Sequence, residues 1–343
     1  MTNKKKGVTI PSQYKSKHLS IFVPAGDCVL SSVIGTFKVF NEVNKVAHIK
    51  NPDMPPPFNI QLVGLTAETK LYDGAFNIKP HVTIDEVEHT DLIVIPALAG
   101  NIPAEVKRNE AAVEWISKHY KKGAEIASLC TGAFLLAATG LVDGKKCATH
   151  WIAFDVFRMM YPQVELIKSV VHEEQGIYTN GGAYSFLNLL LYLVEKYVDR
   201  ETAIYCSKVF EIEIDRDSQA SFSIFNGFKM HQDDAILQAQ QFIEKNYAEK
   251  INVDDLASHC SLGRRNFERR FRKATQYSPA EYIQYLKIEA ARRQLENSRY
   301  HVNEVMYAVG YSDNKAFRNT FKKITGLSPL EYRNRFQALG TAN

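Results

Sequence analysis

Residues 264–282 read RRNFERRFRKATQYSPAEY, and residues 314–332 read NKAFRNTFKKITGLSPLEY. The two stretches align without a gap at an offset of 50, with Phe267 on Phe317, Phe271 on Phe321, Arg272-Lys273 on Lys322-Lys323, Thr275 on Thr325, Ser278-Pro279 on Ser328-Pro329 and Glu281-Tyr282 on Glu331-Tyr332. An ungapped self-match of this kind implies two copies of one supersecondary unit. Each copy opens with a short segment that has one apolar face, Val253, Leu256 and Ala257 in the first and Val302, Val305 and Met306 in the second. A tight turn follows (260–263; 310–313), then a longer basic segment. Two short helices joined by so short a turn make a helix-turn-helix, whose second helix can lie in the ~12 Å wide major groove of DNA.

A helical wheel at about 100° per residue separates the faces of the second helix. With Phe267 at the core, Phe271, Ala274 and the stem of Arg270 fall beside it, the Arg270 head snorkelling outward. Arg265, Asn266, Arg269, Arg272 and Lys273 fall on the far side, as do Lys315, Ala316, Asn319, Lys322 and Lys323 in the second copy. N-terminal positions of a recognition helix reach base edges and later ones reach phosphates. Arg265, Asn266, Arg269, Lys315 and Asn319 are therefore the base-edge candidates, with Asn314 at the start of the second helix. Arg272, Lys273, Lys322 and Lys323 are the phosphate candidates. For one copy alone a solvated helix face explains the same charges, and the repeat is what favours DNA.

On these residues, 235–336 closely resemble the DNA-binding domain of the AraC/XylS family of transcriptional regulators. The resemblance rests on Val253–Ala257, the run from Arg265 to Lys273, Lys287–Leu295, the Gly310-Tyr311 turn and the Ser328–Arg333 close. It implies two helix-turn-helix units tied by a long helix at about Pro279–Glu296, meeting successive major-groove faces. Some positions depart from the family's pattern. Gly263 stands at a capping position that favours Ser, Lys287 and Asn319 stand at common Arg positions, and Met306 replaces a small residue.

The remainder is organised differently. At 343 residues the chain has room for two or three domains, and with 45% apolar and 23% charged residues it is an ordinary globular composition rather than a fibre or a disordered chain. No apolar run approaches the ~18–20 residues of a membrane span. The basic start, Met1 to Lys6, has no apolar stretch after it and is not read as a secretory signal. Cys28, Cys130, Cys147, Cys206 and Cys260 show neither a disulfide framework nor metal-ligand spacing, which fits a reducing cytoplasm; no metal or cofactor is expected. The net charge of +4 is a sum of unlike parts: +5 over residues 1–17, −6 over 18–232 and +5 over 233–343. A basic module on an acidic body points to a polyanion partner for that module.

Residues 18–213 alternate short apolar runs (Leu19–Val23, Phe58–Val63, Leu92–Ile95, Ala124–Ser128, Ile177–Thr179) with helical patterns (Ser32–Val46, Ala104–Tyr120, Gly132–Thr139, Tyr184–Tyr197). That alternation predicts an α/β domain with a parallel sheet covered on both faces. The segment Ala124–Phe134 ends a strand and opens a helix, with Cys130 and Gly132 at the junction. This is the layout of a nucleophile elbow, although a cysteine there is also an ordinary small buried residue.

The region resembles the PfpI-like branch of the class I glutamine amidotransferase-like, flavodoxin-like fold. It is still more similar to the sensor domains of GlxA-like AraC-type regulators, through Cys130–Gly144, Ala148–Trp151 and Thr179–Ala183. Catalysis in PfpI-like hydrolases uses the elbow Cys, a His directly after it and an acid from the first loop. Here Thr131 follows Cys130, and Ser31 or Ser32 stands near the place of the acid, with Asp27 displaced from it. The resemblance therefore implies a degenerate elbow and a ligand pocket at the carboxyl ends of the strands. The ligand candidates are Asp27, Cys28, Cys130, Thr131, His150, Trp151 and Asn180. His150 and Trp151 are equally readable as core packing, and Asn180 as part of a turn.

These readings divide the chain into a basic tail (1–17), a PfpI-like sensor and dimerisation domain (18–213), a linker with aromatics (214–232), an all-α double helix-turn-helix domain (233–337) and a tail (338–343). They lead to the expectation of a cytoplasmic, homodimeric, non-enzymatic regulator, an activator with promoter DNA and RNA polymerase as partners. A small effector, nitrogenous by analogy with the family, would bind its sensor, and the protein would have no membrane partner. The rival expectation is a Cys130-dependent hydrolase or amidase that carries a DNA-targeting module.

Overall fold

The computed structural model describes residues 16–214, 218–229 and 231–337. Both expected tails lie almost wholly outside the described residues. The chain divides into two units, Met1–Asp217 and Ser218–Asn343.

The first unit runs β1 (Lys17–Val23), α1 (Leu30–Lys50), β2 (Phe58–Gly64), β3 (Thr69–Leu71), β4 (Phe76–Ile78), β5 (Val82–Thr83), β6 (Leu92–Ile95), α2 (Ile102–Arg108), α3 (Glu110–Lys121), β7 (Glu125–Ser128), α4 (Ala133–Ala138), β8 (Lys146–Ala148), α5 (Phe154–Met160), β9 (Glu165–Ile167), β10 (Val171–Glu174), β11 (Ile177–Asn180), α6 (Phe186–Tyr197) and α7 (Arg200–Val209). Seven strands form one sheet in the order β10-β11-β7-β6-β1-β2-β5. All neighbours are parallel except β10 and β11.

Side chains alternate across this sheet. Leu19, Ile21, Val23, Leu92, Val94 and Ala127 enter a core with α1, α6 and α7. Phe22, Ile93, Ile95 and Ile126 enter a second core with α3, α4 and α5. Both faces are thus apolar, which is why these strands read as unbroken apolar runs. The result is the flavodoxin-like parallel-sheet sandwich expected from the sequence.

One expected helix, Ala104–Tyr120, is two. Asn109, wholly buried, sits between α2 and α3 and turns its amide inward: its Oδ1 accepts from Ala25 N at 2.8 Å and its Nδ2 donates to Ala25 O at 2.9 Å. A polar residue inside an amphipathic run is invisible to periodicity when its partner is a backbone 84 residues away.

The second unit runs α8 (Asp234–Asn246), α9 (Val253–His259), α10 (Arg264–Thr275), α11 (Pro279–Asn297), α12 (Val302–Ala308), α13 (Asn314–Thr325) and α14 (Pro329–Phe336). The repeated Ser-Pro-x-Glu-Tyr is a helix start. Ser278 and Ser328 are N-caps with Pro at the first turn, and Glu281 and Glu331 close reciprocal capping boxes. The two tyrosines are buried: Tyr282 bonds Gln240 and Glu244, while Tyr332 bonds Arg292 and Glu296.

The helix α11 serves two cores. Tyr282, Ile283 and Leu286 pack with α8, α9 and α10, and Ile288, Ala291 and Leu295 pack with α12, α13 and α14. Gly310 turns with φ +76° against the first half, where a Cβ would lie 1.8 Å from Ala248 O. Lys287 Nζ donates to Gly310 O at 3.1 Å and to Glu249 O at 3.4 Å, tying the two halves at the same place.

The stretch read as a linker, 214–232, is over residues 218–229 an arm of the second unit. Phe225 packs on Tyr277, Tyr282 and Tyr285, and Phe222 on Phe336. Arg292, 4% exposed, donates to the carbonyls of Ser221 and Ser223 and to Tyr332 OH, beside the buried Glu289 carboxylate. Phe225 N donates to that same carboxylate at 3.3 Å. The aromatics of this arm pack on the helices, and its Ser221 and Ser223 carbonyls satisfy a buried guanidinium. Replacing Arg292 with Met removes the buried cation beside Glu289 and leaves that carboxylate only the looser Arg293 at 3.8 Å and the Phe225 amide; this should destabilise the second unit by about 3 kcal/mol in chemical denaturation.

Candidate functional site

In both helix-turn-helix units the second helix is oriented by two phenylalanines. Phe267, Phe271, Phe317 and Phe321 are fully buried. The opposite face is solvent-exposed at Arg265, Asn266, Arg269, Arg272 and Lys273 on α10, and at Asn314, Lys315, Asn319, Lys322 and Lys323 on α13. The sequence-read DNA candidates therefore lie on one outward face of each helix.

Their surroundings differ. Arg269 Nη2 donates to Asn266 Oδ1 at 2.9 Å, so these two side chains present their hydrogen-bonding groups together. Arg272 lies 3.9 Å from Glu281, a loose exposed pair that leaves its charge available. Asn314 is held by Asn303 and Arg318. Arg270, expected to snorkel, instead forms a two-pronged pair with Asp233, at 2.9 Å from Nε and 2.6 Å from Nη2. The hydrogen bond from Arg270 is the chief reason the Asp233 carboxyl is held below its usual range. Asp233 caps α8, so this guanidinium fastens the unit together. Gly263 starts α10 with no side-chain cap bond, whereas Asp313 caps α13 by accepting from Ala316 N at 2.8 Å.

In the first unit, hydrogen bonds gather the carboxyl ends of the central strands. Cys28 bridges to Leu98. Thr131 Oγ1 donates to Leu98 O at 2.6 Å, and Thr149 Oγ1 donates to Cys130 O at 2.9 Å. Ala148 N donates to Thr179 Oγ1 at 2.9 Å, bringing in the strand that ends at Asn180. Cys130 has φ +53°, in the left-handed region that a non-glycine residue rarely adopts. Gly132 follows in a space where a Cβ would meet Pro96 O at 2.6 Å. The backbone of a nucleophile elbow is thus present.

The chemistry of an activated nucleophile is not. Cys130 is 5% exposed, and burial pushes its thiol up to about 11 despite opposing hydrogen bonds from Thr131. Cys28 is wholly buried and pushed up to about 12 by burial, with the Asp27 charge adding to the effect. Asp27 Oδ1 accepts from Tyr72 N at 2.9 Å. His150 Nδ1 accepts from Ile152 N at 3.1 Å, which makes it the cap of a short turn, and burial lowers its pKa. The ring of Trp151 lies 5.5 Å from that of His150. Asn180 is fully buried and its Nδ2 donates to Val170 O at 2.8 Å, fastening a loop. Ser32, near the place of the missing acid, accepts from Ala97 N at 3.1 Å. The sequence also read Asn180 as part of a turn, but its partner, the Val170 carbonyl, had no local signal.

Comparison with known proteins follows the same division. The helix-turn-helix domain family matches residues 256–335, and the DJ-1/PfpI family matches residues 33–196. The chain is 24% identical over 262 residues to the HTH-type transcriptional regulator GbdR of Pseudomonas aeruginosa, covering 76% of this chain and 70% of that one. It is 28% identical over 142 residues to isonitrile hydratase of Pseudomonas putida, covering 41% of this chain and 58% of the enzyme. Among solved structures, a transcriptional regulator protein of Vibrio parahaemolyticus, titled putative, aligns with a TM-score of 0.51 and 20% identity over 57% of this chain and 99% of that one. This likeness supports the fold of the first unit.

A thiol at about 11 instead of 9.0 has roughly a hundredth of the ordinary thiolate fraction at neutral pH. Alkylation of Cys130 by iodoacetamide, followed by peptide mass spectrometry, should accordingly be at least ~100-fold slower than that of free cysteine at neutral pH, and rise steeply in alkali.

Proposed function

We infer that this chain, which joins a DJ-1/PfpI domain to an AraC-type helix-turn-helix domain, is a DNA-binding transcriptional regulator. The observation that carries the reading is the paired recognition helices, each with two buried phenylalanines on one side and an exposed basic face on the other. Arg265, Asn266, Arg269, Lys315 and Asn319 read base edges. Arg272, Lys273, Lys322 and Lys323 hold phosphates, and Asn314 belongs to the same DNA-facing set.

The first unit acts as a sensor of a small metabolite and is not an enzyme. Its ligand candidates are Asp27, Cys28, Cys130, Thr131, His150, Trp151 and Asn180, and the raised thiol of Cys130 argues against nucleophilic turnover. A ligand acts by favouring one of two conformations of the protein. The protein works as a homodimer in the cytoplasm, activating promoters together with RNA polymerase. Helix α7 supports the dimer reading, since it presents Tyr205 and Val209 to solvent. Among the described residues no helix is long and apolar enough to cross a membrane.

The hydrolase reading retains the left-handed Cys130 turn in its favour. Turnover of an amide or isonitrile that is lost in Cys130→Ser would establish it and displace the sensor reading.

Two measurements test the main reading. The Arg265→Ala and Arg269→Ala variants should each weaken binding to a duplex selected by the wild-type chain by about 1–3 kcal/mol in a mobility or anisotropy titration. Unchanged affinity would remove both residues from the interface. In a thermal-shift screen of the full chain against amino acids, betaines and related amines, a true effector at 100 times its Kd should add about 2.7 kcal/mol to the stability of the unit that binds it.

A further inference from the structure

The repeat makes each helix-turn-helix unit a control for the other. On one flank of each recognition helix, its first and fifth residues meet the second residue of the preceding helix. In the first unit these are Arg264, Glu268 and Asp254. Arg264 Nε donates to Glu268 Oε1 at 3.1 Å, and Nη1 donates to Asp254 Oδ2 at 2.9 Å. One guanidinium faces two carboxylates, so the flank is net negative.

In the second unit the same three places hold Asn314, Arg318 and Asn303. Asn314 Nδ2 donates to Asn303 Oδ1 at 2.7 Å, and Asn314 Oδ1 accepts from Arg318 Nε at 2.6 Å. No acid takes part. All three side chains belong to exposed residues. Among the described residues, neither terminal nitrogen of Arg318 has a hydrogen bond or an ion pair. A relay of two asparagines thus fixes a guanidinium by its Nε and leaves the Nη pair open.

We propose that Arg318, oriented by Asn314 and Asn303, is a clamp for a DNA backbone phosphate in the second unit, and that the first unit has no counterpart. The proposal rests on the DNA-binding reading above. A guanidinium with free N–H groups matches phosphate geometry bidentately. Holding it in place beforehand reduces the ordering cost of binding. The flank between the two helices of such a unit is also where the first helix crosses the nucleic-acid backbone. At that place in the first unit Glu268 repels a phosphate.

The two units therefore divide the work. The first carries Arg265, Asn266 and Arg269 for base edges. The second, with the shorter Asn319 at the place of Arg269, gains grip on the backbone instead. The wheel overlooked Arg318 because it lies beside the outward face and not at its centre.

The test uses the full chain with two labelled duplexes, one selected by the wild type from a random pool and one of random sequence. Affinity is measured between about 50 and 200 mM salt. The Arg318→Ala variant should weaken both duplexes by the same several-fold factor and flatten the log–log salt slope by about 0.9. Arg318→Lys should retain most of the slope, and Glu268→Gln, which removes the repulsion from the first flank, should tighten both duplexes. Unchanged affinity and slope in Arg318→Ala overturn the clamp, as does a loss confined to one base pair of the selected duplex. If the wild type enriches no duplex from the pool and does not bind the random one, the DNA reading itself fails, and no variant is needed to see it.

Discussion

The arrangement of the second unit follows from burying two aromatic rings per recognition helix. Phe267 and Phe271 are four residues apart, as are Phe317 and Phe321, so each pair lies on one helical stripe. Fully burying a phenylalanine contributes on the order of 1.5–3 kcal/mol, far more than any exposed charge costs or gains. The apolar stripe therefore decides the rotation of the helix, and the cations take whatever direction remains. That direction is outward and shared, which turns a basic composition into a basic surface.

The same reasoning extends to α11. A helix long enough to feed two cores couples two otherwise separate units, and its capping box sets where it begins. Lys287 and Gly310 close the seam between the halves with backbone contacts rather than side-chain complementarity. Arg292 and Glu289 place a buried ion pair in the middle of the same helix. Such a pair costs desolvation, and here the arm at 221–225 offsets it with carbonyls and an amide. The chain thus enters the second unit along the one helix that both helix-turn-helix units share.

The first unit keeps the backbone of an elbow around a buried thiol that burial holds protonated. The left-handed Cys130 and the tight Gly132 approach are demands of the sheet-to-helix turn and persist whatever follows the cysteine. Activation is a separate requirement: it needs a neighbouring base and some solvent or charge stabilisation of the thiolate. Thr131 bonds a backbone carbonyl and Ser32 accepts from a backbone amide. These two hydroxyls are thus engaged in holding loops together.

By itself the sequence determined the alternation of strands and helices, the two-copy architecture and the outward face of each recognition helix. These depend on periodicity and on local capping, which neighbouring residues specify. It also displayed the missing His after Cys130. Only the tertiary structure decided the break at Asn109, the docking of the arm, the partner of Arg270 and the relay that holds Arg318. Each of these is a polar group satisfied by an atom distant in sequence or on another helix. Burial makes such pairing obligatory, but the identity of the partner depends on which segments the fold brings within ~3 Å. Apolar periodicity is a property of one segment, whereas hydrogen-bond satisfaction is a property of the packed molecule.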